Sequence, residues 1–205
     1  MKGKEKVLQI HKKLQKIYPD PKIELNYSNP IELLIAVILS AQATDKQVNI
    51  VTKDLFKKYK SIDNYKKIDL IDFQKDISSI GLYKAKGKNI LSAISIIDEK
   101  YNGKVPNNMD DLVKLPGIGR KTANVLLFNI YNINEGIAVD THVKRLSGKF
   151  GLSKETNPDK IEKDLMKLVP QSKWGEFSAR LVLYGRYLCK ANCKHETCPL
   201  NSFIS

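Results

Sequence analysis

With 35 Lys+Arg against 22 Asp+Glu over 205 residues, the chain has a formal charge of +13 and a pI near 9.5, a surface suited to a polyanion. Its Ile/Lys/Asn-heavy composition raises that charge by itself, so charge alone names no partner. No twenty-residue apolar span or signal-peptide pattern appears, and the three cysteines all fall between 189 and 198, which excludes a membrane span and a disulfide framework and predicts a soluble protein of a reducing, cytoplasmic compartment.

Apolar residues at Val7, Ile10, Leu14 and Ile17 recur at helical spacing and predict a first helix over residues 4–18. Asn29 offers an N-cap with Pro30 at the first helical position; residues 31–39 are apolar on almost every side except at Glu32, which predicts a buried helix. Val48, Val51, Leu55 and Tyr59 mark the next helix, residues 71–80 another, and Ile90, Ile94 and Ile97 a longer one over 86–101. Asp110 and Asp111 open a short helix, and residues 122–131 belong to its successor. Asp140 precedes a helix carrying Val143, Leu146 and Phe150. Ile161, Leu165 and Leu168 give a further face, and residues 177–188 form the last helix. No run alternates with the period of a strand, so the fold class is all-α.

Leu115-Pro116-Gly117-Ile118-Gly119 is too short for a strand and lies between two apolar-periodic runs, so it reads as a tight hairpin between helices, with glycine supplying φ > 0. The second helix then starts near Gly119. Its free N–H groups and the positive end of its dipole make a phosphate site. Lys121 sits in that first turn, the least favourable place for a charged amine, and burial would favour the neutral form further. Arg120 adds like charge if it points inward. Taken alone, Lys121 would read as a phosphate-contacting lysine, and Asp140 as an N-cap for the helix starting at Thr141.

Taken together, these residues resemble the helix-hairpin-helix DNA glycosylases, and within them the endonuclease III branch. The likeness runs from Asn29-Pro30 through Leu39-Ser40-Ala41-Gln42-Ala43-Thr44-Asp45, Ile80-Gly81-Leu82-Tyr83, the hairpin and Val139-Asp140-Thr141-His142 to Tyr184-Gly185-Arg186-Tyr187-Leu188-Cys189. It implies a six-helix barrel-like domain over residues 24–134, a second helical domain from 1–23 with 135–205, and a catalytic cleft between them. It implies that Lys121 attacks C1′ of a damaged nucleotide, and that the Asp140 carboxylate stabilises the oxocarbenium-like sugar. It also implies that Gln42 and Leu82 fill the gap left by the extruded base, and that Ser40, Asp45 and His142 line the pocket. Asp45 doubles as a candidate helix cap, and His142 reads equally as a packed histidine. Gly117, Ile118, Gly119 and Arg120 are the hairpin's DNA contacts, and Lys84, Lys86 and Lys88 read as a phosphate-facing stripe.

The resemblance therefore implies a monomeric, nucleoid-associated glycosylase and β-lyase acting on oxidised pyrimidines in damaged or abasic duplex DNA. A non-catalytic hairpin module would need the glycines but not Lys121 with Asp140. A mismatch adenine glycosylase usually has tyrosine or serine at the lysine position, and the 8-oxoguanine branch lacks the Ser40–Asp45 pattern. The chain departs from the family at its C-terminus. Endonuclease III-like enzymes usually hold a 4Fe–4S cluster with four cysteines spaced C-x6-C-x2-C-x5-C, whereas Cys189, Cys193 and Cys198 are the only three here. The family's second ligand position falls at His195 and its fourth at Ile204. The expectation is that no cluster and no other cofactor is present, with Leu200, Phe203 and Ile204 holding the segment by packing; zinc on Cys189, Cys193, His195 and Cys198 is the alternative.

Overall fold

Helix caps divide this chain into short helical segments. In the computed structural model, which describes residues 3–204, every regular element is helical: α1 (Gly3–Ile17), α2 (Pro30–Ser40), α3 (Asp45–Lys58), α4 (Ile62–Lys67), α5 (Leu70–Asp76), α6 (Tyr83–Tyr101), α7 (Met109–Leu112), α8 (Arg120–Tyr131), α9 (Thr141–Lys149), α10 (Pro158–Leu168) and α11 (Trp174–Leu183). Asn29 caps α2 by accepting from the Glu32 N–H at 3.0 Å, with Pro30 at the first helical position as expected. Asn157 and Pro158 repeat the device at α10.

Some elements depart from the sequence reading, among them α6, which begins at Tyr83 and not at residue 86. The short α4 was not expected; its start is fixed by the Ser61 N–H donating to Asn64 Oδ1 at 3.1 Å. Helix α5 stops at Asp76, and residues 77–80 form a turn closed by the Ile80 N–H to the Ile77 carbonyl at 2.9 Å. The last helix begins earlier than expected, at Trp174, and widens into a π turn over Tyr184–Leu188 instead of continuing as α-helix.

The chain divides into two compact units, Glu24–Leu126 and Met1–Ile23 with Leu127–Ser205. In the first, α2 is buried from Leu33 to Leu39 and packs against α3 and α6, while α4 and α5 lie on α6. An apolar helix with no polar face must be enclosed in this way.

In the second unit α11 packs against α1 and α9, and its core joins Ile10 and Leu14 to Val143, Leu146, Phe150, Phe177, Leu181 and Tyr184. Arg180 joins the two stretches of chain there. Only 2% exposed, it donates from Nε to the Tyr18 carbonyl at 2.8 Å, from one terminal nitrogen to the Pro19 carbonyl at 2.9 Å, and from the other to Glu176 Oε2 at 2.7 Å. Replacing Arg180 by Met leaves those carbonyls and the Glu176 charge without their donor. It should cost about 2–4 kcal/mol in urea unfolding, and an unchanged midpoint would contradict this role.

Beside Arg180, the buried His11 has no hydrogen-bond partner on either ring nitrogen, and its ring lies 5.9 Å from that of Phe177. Burial, then the nearby Arg180 charge, lowers its pKa from 6.5, and the Arg180 hydrogen bond lowers that of Glu176. Both groups bind protons more readily unfolded, so the stability they contribute is present above their unfolded values and is lost as pH falls through the folded ones. Unfolding free energy should accordingly decline as pH drops below 6.5, and His11→Leu should flatten the histidine part of that slope in pH-dependent urea titrations.

Candidate functional site

The hairpin forms as the sequence requires. Gly117 has φ +83°, and a Cβ there would meet Asn89 Cβ and Nδ2 at 3.2 Å, so both backbone and space demand glycine. Ile118 is buried and its N–H closes the turn on the Leu115 carbonyl at 3.1 Å. Gly119 differs from expectation. It is outside the left-handed region, and a Cβ would meet nothing within 4 Å. Its carbonyl accepts the Ala123 N–H at 2.9 Å, which makes it the bare cap of α8.

Arg120 and Lys121 are the first two residues of α8, both exposed. The burial expected for Lys121 is therefore not found. Asp140 is the N-cap of α9, as the sequence predicts: Oδ1 accepts the Val143 N–H at 2.8 Å. That bond occupies one carboxylate oxygen and fixes the side chain's direction. Lys121 belongs to the Glu24–Leu126 unit and Asp140 to the other.

His142 lies against Gly185. A Cβ on Gly185 would lie 2.9 Å from His142 Cβ and 3.1 Å from an Arg145 terminal nitrogen, and the Gly185 carbonyl accepts from Arg145 at 3.0 Å. Ser40 is half-buried and donates to the Val37 carbonyl at 2.8 Å. Thr44, not Asp45, caps α3, accepting the Gln47 N–H at 3.2 Å; Asp45 is the first helical residue.

Gln42 and Leu82 share an unusual property. Both are exposed non-glycine residues in left-handed backbone, with φ +55° and +61°, and Leu82 is 60% exposed. A large apolar side chain held outward at that cost suits a wedge. Of the three lysines read as a stripe, Lys84 and Lys88 are exposed but Lys86 is not: it is 4% exposed and hydrogen-bonded to the Leu39 and Ala41 carbonyls. Period-two counting on a helix placed it wrongly, because residues two apart lie on different faces.

Near the C-terminus, Cys189, Cys193, His195 and Cys198 bring their ligand atoms within 4.8 Å of one another. His195 turns through left-handed backbone, φ +68°, and presents Nδ1 to Cys189 Sγ at 3.4 Å and Cys198 Sγ at 3.8 Å. Cys193 and Cys198 sulfurs are 3.0 Å apart. Burial pushes the Cys198 thiol up to about 12, while its hydrogen bond holds Cys193 below the usual thiol range. Burial, with Lys149 and Arg145 nearby, lowers the His195 pKa and keeps the imidazole neutral, the form that ligates a metal. Ile204, by contrast, packs against the core, as Leu200 and Phe203 do.

The family description HhH-GPD superfamily base excision DNA repair protein matches residues 35–171. The chain belongs to this superfamily. Endonuclease III of Bacillus subtilis (strain 168) is 47% identical over 192 residues, covering 93% of this chain and 87% of that protein. Two solved structures, a non-covalent endonuclease III–DNA complex and a trapped covalent endonuclease III–DNA intermediate, the estranged-adenine complex, each superpose with a TM-score of 0.93 at 43% identity, covering 100% of this chain and 96% of theirs. The all-α glycosylase fold is thereby established.

The expectation of no cofactor does not survive. Endonuclease III relatives typically carry a 4Fe–4S cluster, and four convergent donors stand where cluster decay would have dispersed them. The error was to count cysteines: imidazole replaces thiolate on iron in other iron–sulfur centres, so three thiols and His195 make a chemically adequate set. Protein purified without oxygen should contain iron and acid-labile sulfide, and Cys198→Ser should lose most of both by elemental analysis; iron-free wild-type protein would count against this assignment.

Proposed function

We propose that this protein is a base-excision-repair DNA glycosylase and β-lyase that removes oxidised pyrimidines from duplex DNA, with Lys121 as nucleophile and Asp140 as its electrostatic partner. The observation that carries the reading is the placement of Lys121 on the exposed first turn of α8, directly after the glycine hairpin. A phosphate held at the positive end of that helix would bring a sugar to the amine. The relative trapped as a covalent intermediate with DNA supports covalent chemistry.

In this mechanism neutral Lys121 Nζ forms a bond to C1′ as the N-glycosidic bond breaks, and the bonding pair leaves with the base, which takes up a proton. Asp140 stabilises the positive charge that develops on the sugar. Loss of the amine proton and opening of the C1′–O4′ bond give the protonated Schiff base, with O4′ protonated. A base then removes a C2′ proton; its electron pair forms the C2′–C3′ double bond, and the C3′–O bond breaks to release the phosphate. Water finally hydrolyses the imine and returns the lysine.

Cys189, Cys193, His195 and Cys198 would hold the cluster; when bound, it supplies an iron cross-link for the C-terminal loop. None of the described helices is long and apolar enough to cross a membrane.

Incubation with abasic duplex and borohydride should attach the protein covalently to DNA, and Lys121→Ala should abolish the adduct. No adduct with the wild type would instead favour a binding module. Asp140→Asn retains capping ability but removes the charge, so single-turnover base release should fall by about a hundredfold or more while abasic-DNA affinity changes little; equal losses would assign Asp140 a purely structural role. Thymine glycol should be released much faster than adenine opposite 8-oxoguanine, and the reverse order would overturn the lesion class.

A further inference from the structure

Lys86 contacts both wedge-bearing segments of the Glu24–Leu126 unit. Its ammonium donates to the Leu39 carbonyl at 2.9 Å and the Ala41 carbonyl at 2.6 Å. These belong to the C-terminal end of α2, where carbonyls lack intrahelical partners and carry the negative end of the dipole. Gln42 follows at once. Its turn is otherwise closed by the Ala43 N–H to the Ser40 carbonyl at 3.1 Å, and by a long 3.5 Å bond from the Ala41 N–H to Ile38. The backbone N–H of the same lysine donates to the Leu82 carbonyl at 3.0 Å. One residue thus bonds to Leu82 and to the residue preceding Gln42.

The α6 start is itself anchored. Gln74 Nε2 donates to the Lys84 carbonyl at 2.8 Å, and Gly87 lies so close to α5 that a Cβ would meet Gln74 Cγ at 2.8 Å. Lys86 therefore reaches α2 from a fixed base. Left-handed backbone costs roughly 1–3 kcal/mol at a non-glycine residue and persists only where its surroundings hold it. Gln42 and Leu82 both pay this cost while exposed. Rigid carriers matter to a wedge because the work of unstacking bases is lost if the wedge itself must first be ordered.

We propose that Lys86 is a positioning residue, which latches the Gln42 turn to the start of α6 so that Gln42 and Leu82 enter the base stack at a fixed spacing. The inference rests on the proposed reading of those two residues as wedges. It confines the effect of Lys86 to steps that open a duplex. A single-stranded abasic sugar needs no wedge, so its chemistry on Lys121 should not depend on the latch.

The test compares Lys86→Met, which keeps the stem and removes the donor, with Gln42→Ala/Leu82→Ala and the triple variant. Each is assayed for single-turnover release of thymine glycol from duplex and for nicking of a single-stranded abasic oligonucleotide. Lys86→Met should slow duplex release about ten- to a hundredfold and leave single-strand nicking within about twofold, and adding it to the wedge pair should cause little further loss. Lys86→Gln, a shorter donor, should give the same pattern in weaker form and serves if the methionine variant does not fold. Unchanged duplex release, equal loss on both substrates, or full additivity with the wedge pair would overturn the latch. If Gln42→Ala/Leu82→Ala alone leaves duplex release intact, the wedge reading fails, visibly and without reference to Lys86, and the latch falls with it.

Discussion

The second unit of this protein depends on the Arg180 guanidinium. Tyr18 and Pro19 follow the end of α1, where carbonyls have no partner within the helix. Arg180 satisfies both and meets Glu176 within its own helix. The planar fork suits several acceptors at once, which an ammonium would serve less well. Residues 24–126 are thus inserted between two stretches of chain that fold together. At α2 the counterpart is Lys86, again a buried cation from a distant helix placed on the carbonyls of a helix end.

In the proposed mechanism two N-terminal helix ends carry the chemistry. Asp140 obeys local preference, an anion capping the positive end of α9, and the bond that caps the helix also aims the carboxylate. Lys121 violates the same preference at α8. A cation in the first turn gains nothing for the helix, so local preference does not account for Lys121 at this position.

Features set by local chemistry were legible in the sequence. The Asn29–Pro30 start, the Asp140 cap and the positive φ of Gly117 follow from interactions within a few residues, and the apolar run of α2 announces its burial. Features set by distant partners were not. Lys86 looks like its neighbours Lys84 and Lys88 until α2 is placed beside it, and nothing near Arg180 announces two carbonyls more than 160 positions away. The Cys/His group was misjudged for a related reason. Family spacing puts His195 at a ligand position, but spacing does not reveal the left-handed turn that folds the loop back so that its imidazole meets two sulfurs.

The π turn at Tyr184–Leu188 bears on how such a group is inherited. The Cys189 N–H reaches back five residues, to the Tyr184 carbonyl at 2.8 Å, so this stretch accommodates one residue more than an α-helical turn would. One residue is about 100° of rotation on a helix. Cys189 is fully enclosed while Tyr187 and Leu188, just before it, face outward. Removing a single residue from this turn would change the angular phase of everything after it without altering any donor. For the first thiol of this site, azimuth around the helix and not the count of intervening letters is the quantity that descent has to preserve.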